Sequence, residues 1–410
     1  MNNEEPKMRV AMLSNIYKPI STGSTNQIFG LAREISKIGH EVHILTSLID
    51  PSLESREIED GVVINRLRCV KLPRVKIAMN FAWLNWITTP ENVRKVSKYL
   101  VENRIQVIHV HNHMFDSLLL AVIVSVKTKV PICLTLHTIM QHNQKLHNLI
   151  LTIIDRTILR LLVSRYVSLV IAPDHNMFKY ATEALAVKKT RVIPYGVAPA
   201  PSVPPVELSG ISQRYHLEGR KIILSVGHVN HLRNRIKLVQ AIAKISRIDS
   251  SVLLIVIGDI ADQRAVEIVE KLGLESNVKF LGIGTAQQIS CWRVIASLET
   301  QWLDQSPEGF NSLGVASMEG MMAGNPVISV ANIDTFGPGA LKNYENVIVI
   351  NPSDEENLDE IILDLLNSPE KLEAIGKNAS SFAKANFEWS ENGERHLRAY
   401  KNLIDEKVCG

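Results

Sequence analysis

Cysteine is scarce in this sequence. The four present, Cys69, Cys133, Cys291 and Cys409, are scattered through 410 residues with no CxxC pair. That pattern excludes a disulfide framework and a structural zinc site, and it fits reduced thiols. Long apolar runs are missing too. The longest, about Leu118 to Val126, ends at Lys127, whereas a membrane-spanning helix needs ~18 such residues, so the chain is not expected to cross a bilayer. The opening MNNEEPKMRV has two acids and no apolar segment; a secretory leader is not expected there, and a cytoplasmic location is. Also lacking are a P-loop, a GxSxG elbow and an apolar-flanked DxD that would hold a divalent ion.

What is present is a globular composition, with 46% hydrophobic and 21% charged residues over 410 positions. That is more chain than one core organises, and two domains are expected. The net charge of +3 conceals an asymmetry. Residues 1–200 carry 25 Lys and Arg against 15 Asp and Glu, while residues 201–410 carry 20 against 27. A basic first half suits an anionic partner such as a membrane surface, a lipid phosphate or nucleic acid; drift in surface charge would give the same numbers.

Short apolar runs of strand length alternate with helical patterns along both halves. In the first half they are Arg9 to Ser14, His43 to Thr46, Val107 to Val110, Ile132 to Leu136, Leu169 to Ala172 and Val192 to Pro194. In the second they are Lys221 to Val226, Val252 to Ile257, Val278 to Leu281, Leu298 to Trp302, Pro326 to Val330 and Val347 to Ile350. Such alternation predicts parallel sheets covered by helices, hence an α/β protein with two Rossmann-like domains. Between the series, APAPSVPPVELSG (198–210) concentrates four prolines, a composition read as a linker that neither helix nor central strand tolerates.

One further segment, His142 to Arg165, spaces Leu146, Leu149, Ile150, Ile153, Ile158 and Leu161 at helical intervals, with Lys145, Arg156 and Arg160 on one side. It reads either as a core helix with a solvated polar face or as a basic amphipathic surface against anionic lipid. Trp83 and Trp86, near Lys71, Arg74 and Lys76, suit the second reading.

Three stretches carry candidate chemistry. The turn YKPISTGST (17–25) has small residues around Gly23 that let backbone approach a phosphate or sugar, with Ser24 or Thr25 capping a helix that begins near Asn26; an ordinary capped turn would look alike. In SVGHVNHLRNR (225–235), Gly227 ends a strand, and His228 and Arg233 fall at the carboxyl edge of the second sheet, where a diphosphate could be neutralised; a basic surface loop is the alternative. In PEGFNSLGVASMEGMMAGNPVIS (307–329), a helix from about Val315 to Met322 ends at Gly324. It offers backbone N–H groups near Ser312, Leu313, Gly314 and Val315 to an anion, and Glu319 to vicinal hydroxyls. The histidines of HVHNH (109–113) are expected to part to opposite faces of the sheet, one toward a ligand cleft, rather than share a metal ion.

Taken in order, MRVAMLSNIYKPISTGS, GHEVHILT, QVIHVHNH, VIPYGV, SVGHVNHLRN, VIGD, VKFLG and FEWSENGERHLRAY resemble the motifs of the retaining glycosyltransferases of group 1, also called family four. The resemblance covers nearly the whole chain. It implies the GT-B fold, two Rossmann-like domains facing across a cleft. Their expected extents are 1–200 for an acceptor-binding domain, 201–219 for the linker, 220–385 for a nucleotide-sugar-binding domain, and 386–410 for a terminal helix crossing back to the first domain.

The resemblance further implies sugar transfer from a nucleotide diphosphate sugar to a glycan or lipid-linked acceptor, with retention, in polysaccharide or glycolipid synthesis. No metal, no other cofactor and no nucleic acid are implied; peripheral contact with an anionic membrane is. The roles carried over are catalytic for His111, His228, Arg233 and Glu319. Donor-binding roles fall to Gly23, Gly227, Gly258, Glu308, Asn311, Ser312, Leu313, Gly314 and Val315, and the acceptor or membrane surface to Lys145, Arg156 and Arg160. Three positions depart from the family pattern: His228 replaces the arginine of a cationic pair, Thr22 replaces a loop glycine, and Asn311 stands eight before Glu319 where a glutamate is usual, with Glu308 three residues earlier. These departures leave a non-catalytic nucleotide- or glycan-binding scaffold as the competing expectation.

Overall fold

A computed structural model describes residues 7–20, 22–72, 84–140, 144–230, 233, 235–301, 312–351 and 356–409. The chain divides into two compact units, Met1–Gly196 with Trp389–Gly410, and Val197–Glu388.

The first unit carries strands β1 (Arg9–Ser14), β2 (Glu41–Ser47), β3 (Arg56–Glu59), β4 (Val62–Leu67), β5 (Val70–Leu72), β6 (Leu84–Trp86), β7 (Val107–His111), β8 (Ile132–Thr135), β9 (Leu169–Ala172) and β10 (Thr190–Val192). Eight of them form one sheet in the order β10-β9-β8-β7-β1-β2-β4-β3, and β5 and β6 pair separately. Every neighbour in the large sheet is parallel except β3 with β4. Helices α1 (Gly23–Lys37), α2 (Pro90–Glu102), α3 (Asp116–Thr128), α4 (Lys145–Ile154), α5 (Arg160–Tyr166) and α6 (His175–Lys179) accompany it. Residues Val10 to Leu13 of β1 are wholly buried, as a central parallel strand covered on both faces requires.

In the second unit α7 (Pro205–Tyr215) leads into β11 (Lys221–Val226), α8 (Ile236–Ile248), β12 (Val252–Ile257), α9 (Arg264–Leu272), β13 (Val278–Phe280), α10 (Ala286–Ile295), β14 (Leu298–Gln301), α11 (Val315–Ala323), β15 (Val327–Ser329), β16 (Ile348–Val349), α12 (Leu358–Leu366) and α13 (Pro369–Phe387). The six strands are ordered β13-β12-β11-β14-β15-β16 and all run parallel. The chain then returns to the first unit as α14 (Trp389–Cys409), which packs on α1. The Trp389 indole fills the space over Gly30 and Gly196: a Cβ at either position would lie 2.1 or 2.2 Å from the ring.

Each predicted strand is found, with ends shifted by no more than two residues in either half. The proline-rich stretch is corrected, because residues 205–215 form α7 rather than a structureless linker. Pro205 takes the first helical position, where a missing N–H and a fixed φ do no harm. The β3–β4 hairpin was not anticipated. Its signal was Asp60–Gly61, whose φ values of 49° and 78° suit the two-residue hairpin turn that such a pair prefers.

Candidate functional site

In the first unit the turn after β1 ends in a capping box. Thr22, and not Ser24 or Thr25, is the N-cap: its hydroxyl accepts from the Thr25 N–H at 3.2 Å, and Thr25 Oγ1 accepts from the Thr22 N–H at 2.7 Å. The helix therefore begins at Gly23, three residues earlier than expected. Nothing lies within 4 Å of where a Cβ on Gly23 would stand, so this first helical turn is open to an approaching group.

Beside β1, His111 closes β7 and lies inside the unit, 2% exposed. Its Nδ1 meets His137 Nε2 at 3.1 Å, and His137 Nδ1 meets the Tyr195 hydroxyl at 3.0 Å. His111 Nε2 has no hydrogen-bond partner among the described residues. A small cavity lined by His111, His137, Tyr195, Trp389 and His396 adjoins it. The expected parting of the histidines is corrected. His109 and His111 are two apart on a strand and so share a face, with ring centroids 4.2 Å apart. His113 diverges because Asn112 has a φ of 73°, which breaks the strand geometry. Burial holds this cluster neutral: it lowers the pKa of His109 and His111 well below the ordinary histidine value, that of His137 to about 3 and that of His396 to about 4.

His113 acts elsewhere. Tyr180 donates to buried Asp155 at 2.6 Å and accepts from His113 Nε2 at 2.7 Å. Asp155 begins a π-helical turn, Asp155–Leu159, between α4 and α5. The segment predicted as one regular helix is thus interrupted, and the extra residue of the π turn sets the inward positions Leu151, Asp155 and Val163 at multiples of four. The six apolar residues picked out by their helical spacing do not belong to the core. Leu146, Leu149, Ile153, Ile158 and Leu161 are each more than half exposed, and Ile150 is 37% exposed. By helical geometry Lys145, Arg156 and Arg160 line one flank of this stripe. None of the three has an ion-pair partner among the described residues, although Arg160 donates to the Ala184 carbonyl at 3.2 Å. Trp86 is exposed, while Arg74, Lys76 and Trp83 lie outside the described residues.

In the second unit two glycines stand at the carboxyl ends of neighbouring strands. Gly227 follows β11 and Gly258 follows β12; a Cβ on Gly258 would sit 2.1 Å from the Gly227 carbonyl oxygen, so only glycine allows this approach. His228 projects outward, its Nδ1 4.0 Å from Asp259 Oδ2, with 72% of the side chain exposed. The Arg233 side chain is partly buried, which lowers its pKa from the usual arginine value, and no carboxylate among the described residues pairs with it. Sequence reasoning missed Arg235, which is 1% exposed. Its guanidinium donates to the carbonyls of His228 and Arg233 at 2.7 and 2.5 Å and to Ser225 Oγ at 3.2 Å, so it shapes the loop that presents both candidate cations. Its signal was slight: one more cation in a basic loop.

Glu319 stands on α11, which opens at Gly314 without a side-chain cap and ends at Gly324 with φ 91°. The uncapped first turn leaves N–H groups free for an anion. Glu319 is half-buried, and its Oε2 accepts from Arg293 Nη2 at 3.1 Å. Arg293, on α10, also grips fully buried Glu299 of β14, with Nε to Oε2 at 3.2 Å and Nη2 to Oε1 at 3.3 Å. Burial raises the Glu299 pKa against the pull of Arg293; burial opposes the Arg293 charge too, but Glu299 and Glu319 outweigh it and raise its pKa. Neither Arg293 nor Glu299 was anticipated, though a glutamate inside the otherwise uncharged run SLETQW was a legible signal. Glu308 and Asn311 lie outside the described residues. The structure thus gathers Ser312 to Val315 with Glu319, and Gly227, Gly258, His228 and Arg233 at the carboxyl ends of β11 and β12.

Comparison with known proteins adds identity to this geometry. Residues 21–200 match the family model described as Glycosyltransferase Family 4, and residues 211–382 match that described as Glycosyl transferases group 1. An alpha-monoglucosyldiacylglycerol synthase of Streptococcus pneumoniae is 23% identical over 343 residues, 79% of this chain and 71% of that protein. One of Acholeplasma laidlawii is 21% identical over 390 residues, 92% of this chain and 93% of that protein. Among solved structures, HepE of Anabaena in complex with UDP superposes with a TM-score of 0.70 at 18% identity, covering 97% of this chain and 100% of that one. Two family matches that run in order through both units, together with that fold, make this chain a member of the family 4, group 1 glycosyltransferases of GT-B architecture.

Proposed function

We propose that this glycosyltransferase moves a sugar from a nucleotide diphosphate sugar to a lipid acceptor at a membrane surface, with retention at the anomeric carbon and no metal ion. The observation that carries the reading is the exposed apolar stripe Leu146, Leu149, Ile150, Ile153, Ile158 and Leu161, flanked by cations that have no ion-pair partner among the described residues. A water-facing stripe of that kind is costly unless an apolar phase covers it. The relatives named as monoglucosyldiacylglycerol synthases act on a lipid, and HepE was solved with UDP, which supports the same two classes of substrate here.

In this reading Glu319 accepts hydrogen bonds from the ribose hydroxyls. Arg233 and His228, with the N–H groups of Leu313 to Val315, stabilise the diphosphate as its charge grows on departure. Asn311 and Glu308 hold the donor sugar, and His111 serves the first-unit side near the transferred sugar. The leaving phosphate takes the acceptor proton, so no carboxylate base is required. Gly23 leaves room for substrate at the start of α1.

The test is nucleotide release from a panel of UDP-, GDP-, ADP- and CDP-sugars, with and without vesicles containing diacylglycerol or monoglucosyldiacylglycerol. One donor is expected to release nucleotide only when lipid acceptor is present, to give product of the donor's own anomeric configuration, and to be unaffected by EDTA. Tight nucleotide binding with no release from any donor would identify a non-catalytic scaffold instead. Glu319→Ala is expected to weaken UDP binding by one to two decades, since a charge-assisted hydrogen bond contributes about 1.5–3 kcal/mol. Its thermal melt should be unchanged, because Arg293 keeps Glu299 as partner. Equal calorimetric affinity in parent and variant would remove Glu319 from the donor site.

A further inference from the structure

We infer that Arg293 is a positioning residue for donor binding, held by buried Glu299 so that it fixes both the Glu319 carboxylate and the first turn of α11. The inference rests on the reading of Glu319 as the ribose-binding group. Glu319 is 39% exposed on its side chain and sits on a long flexible stem; left alone, such a carboxylate samples several rotamers, and ordering it would weaken binding. Arg293 removes that freedom. It is itself 7% exposed and pinned in place, since Glu299 at 0% exposure takes both Nε and Nη2 in a fork.

Space for the Glu299 carboxylate exists because residue 320 is glycine. A Cβ there would lie 2.4 Å from Glu299 Oε2. Arg293 Nη2 reaches the Ala316 carbonyl at 3.2 Å as well as Glu319 Oε2 at 3.1 Å. One guanidinium therefore joins the start of α11, which offers N–H groups to the diphosphate, to the carboxylate offered to the ribose. Among the described residues only Oε2 is engaged, and Oε1 remains for a hydroxyl. Three successive elements converge on this arrangement, α10 through Arg293, β14 through Glu299 and α11 through Glu319, all within the second unit.

The experiment compares calorimetric binding of UDP and of 2′,3′-dideoxy-UDP by the full-length parent, Arg293→Lys, Arg293→Met, Glu299→Gln and Glu319→Ala, with thermal melts of each. Arg293→Met is expected to weaken UDP about tenfold more than the dideoxy analogue, because the analogue loses only the support of the first turn of α11 while UDP also loses the contact through its ribose hydroxyls. Arg293→Lys should recover part of that loss. In turnover, the donor KM should rise by a similar factor with kcat little altered. Removing one partner of a buried pair can unfold the unit. Should Arg293→Met fail to fold, Glu299→Gln loosens the arginine while preserving volume, and it should show the same selective loss of UDP. Folded variants that bind UDP as the parent does, bind it more tightly, or lose both nucleotides equally would overturn the inference. If Glu319→Ala alone leaves UDP affinity intact, the donor-site reading has failed rather than the contact between the two residues.

Discussion

Replacing Leu146, Leu149, Ile150 and Ile153 with serine is expected to abolish binding to vesicles at every salt concentration. Neutralising Lys145, Arg156 and Arg160 with glutamine should instead weaken it by about two decades, and only at low salt. The two variants separate two forces acting on one surface. Burying a leucine or isoleucine side chain contributes about 1.5–3 kcal/mol whatever the ionic strength, so four of them outweigh any realistic affinity for a bilayer. A cation near an anionic surface contributes about 1 kcal/mol, screened over ~8 Å at physiological salt.

Both variants should keep their thermal melts, because the inward side of the segment is held by Leu151, Val163 and the buried Asp155 with Tyr180 and His113, none of which is changed. Flotation with vesicles of neutral and of anionic lipid makes the measurement. Equal binding by parent and both variants, or no binding by the parent to anionic vesicles at low salt, would leave the stripe without a membrane partner and favour a soluble acceptor. No helix among the described residues is long and apolar enough to cross a bilayer, so peripheral contact is the mode under test.

Mild acid should loosen the first unit selectively. Burial depresses the His137 pKa to about 3 and the His396 pKa to about 4, and it also lowers those of His109 and His111. Their folded values lie below the unfolded value of about 6.5. The unfolded chain therefore binds protons more readily in that interval, and the stability contributed by these groups is present above pH ~6.5 and lost as pH falls from there toward 4. At pH 5 the unfolded value lies about 1.5 units above the solution pH, so His137 and His396 together cost roughly 4 kcal/mol. That is a large share of the 5–15 kcal/mol typical of a domain. Hydrogen exchange of the β7 and β8 amides, corrected for the intrinsic rate, should accelerate several hundredfold between pH 7 and pH 5, with the amides of β11 and β12 changing far less. Unchanged protection in β7 would mean that the imidazoles reach water in the native state.

Much of this protein was legible from its residues. Local periodicity identified the strand positions in both halves, because a buried parallel strand must be apolar along its whole length and a covering helix must be apolar at every third or fourth position. Helix punctuation worked for the same local reason, as at Gly324, where the chain needs the left-handed conformation that glycine accepts. Motif order then carried the family. Tertiary structure decided what these signals leave open. Leu146 to Leu161 have the spacing of a core helix and also of a membrane-facing one, and only the packing of Leu151, Asp155 and Val163 shows that the apolar stripe faces outward. A periodic pattern gives the angle between side chains and says nothing about which side meets the rest of the fold. Arg293, Glu299 and Glu319 reach one another only because α10, β14 and α11 are adjacent in space. A charge inside an apolar run, such as Glu299, is visible in the sequence, but which partner it takes is not, since each pair forms through three-dimensional contact rather than through neighbours in the chain.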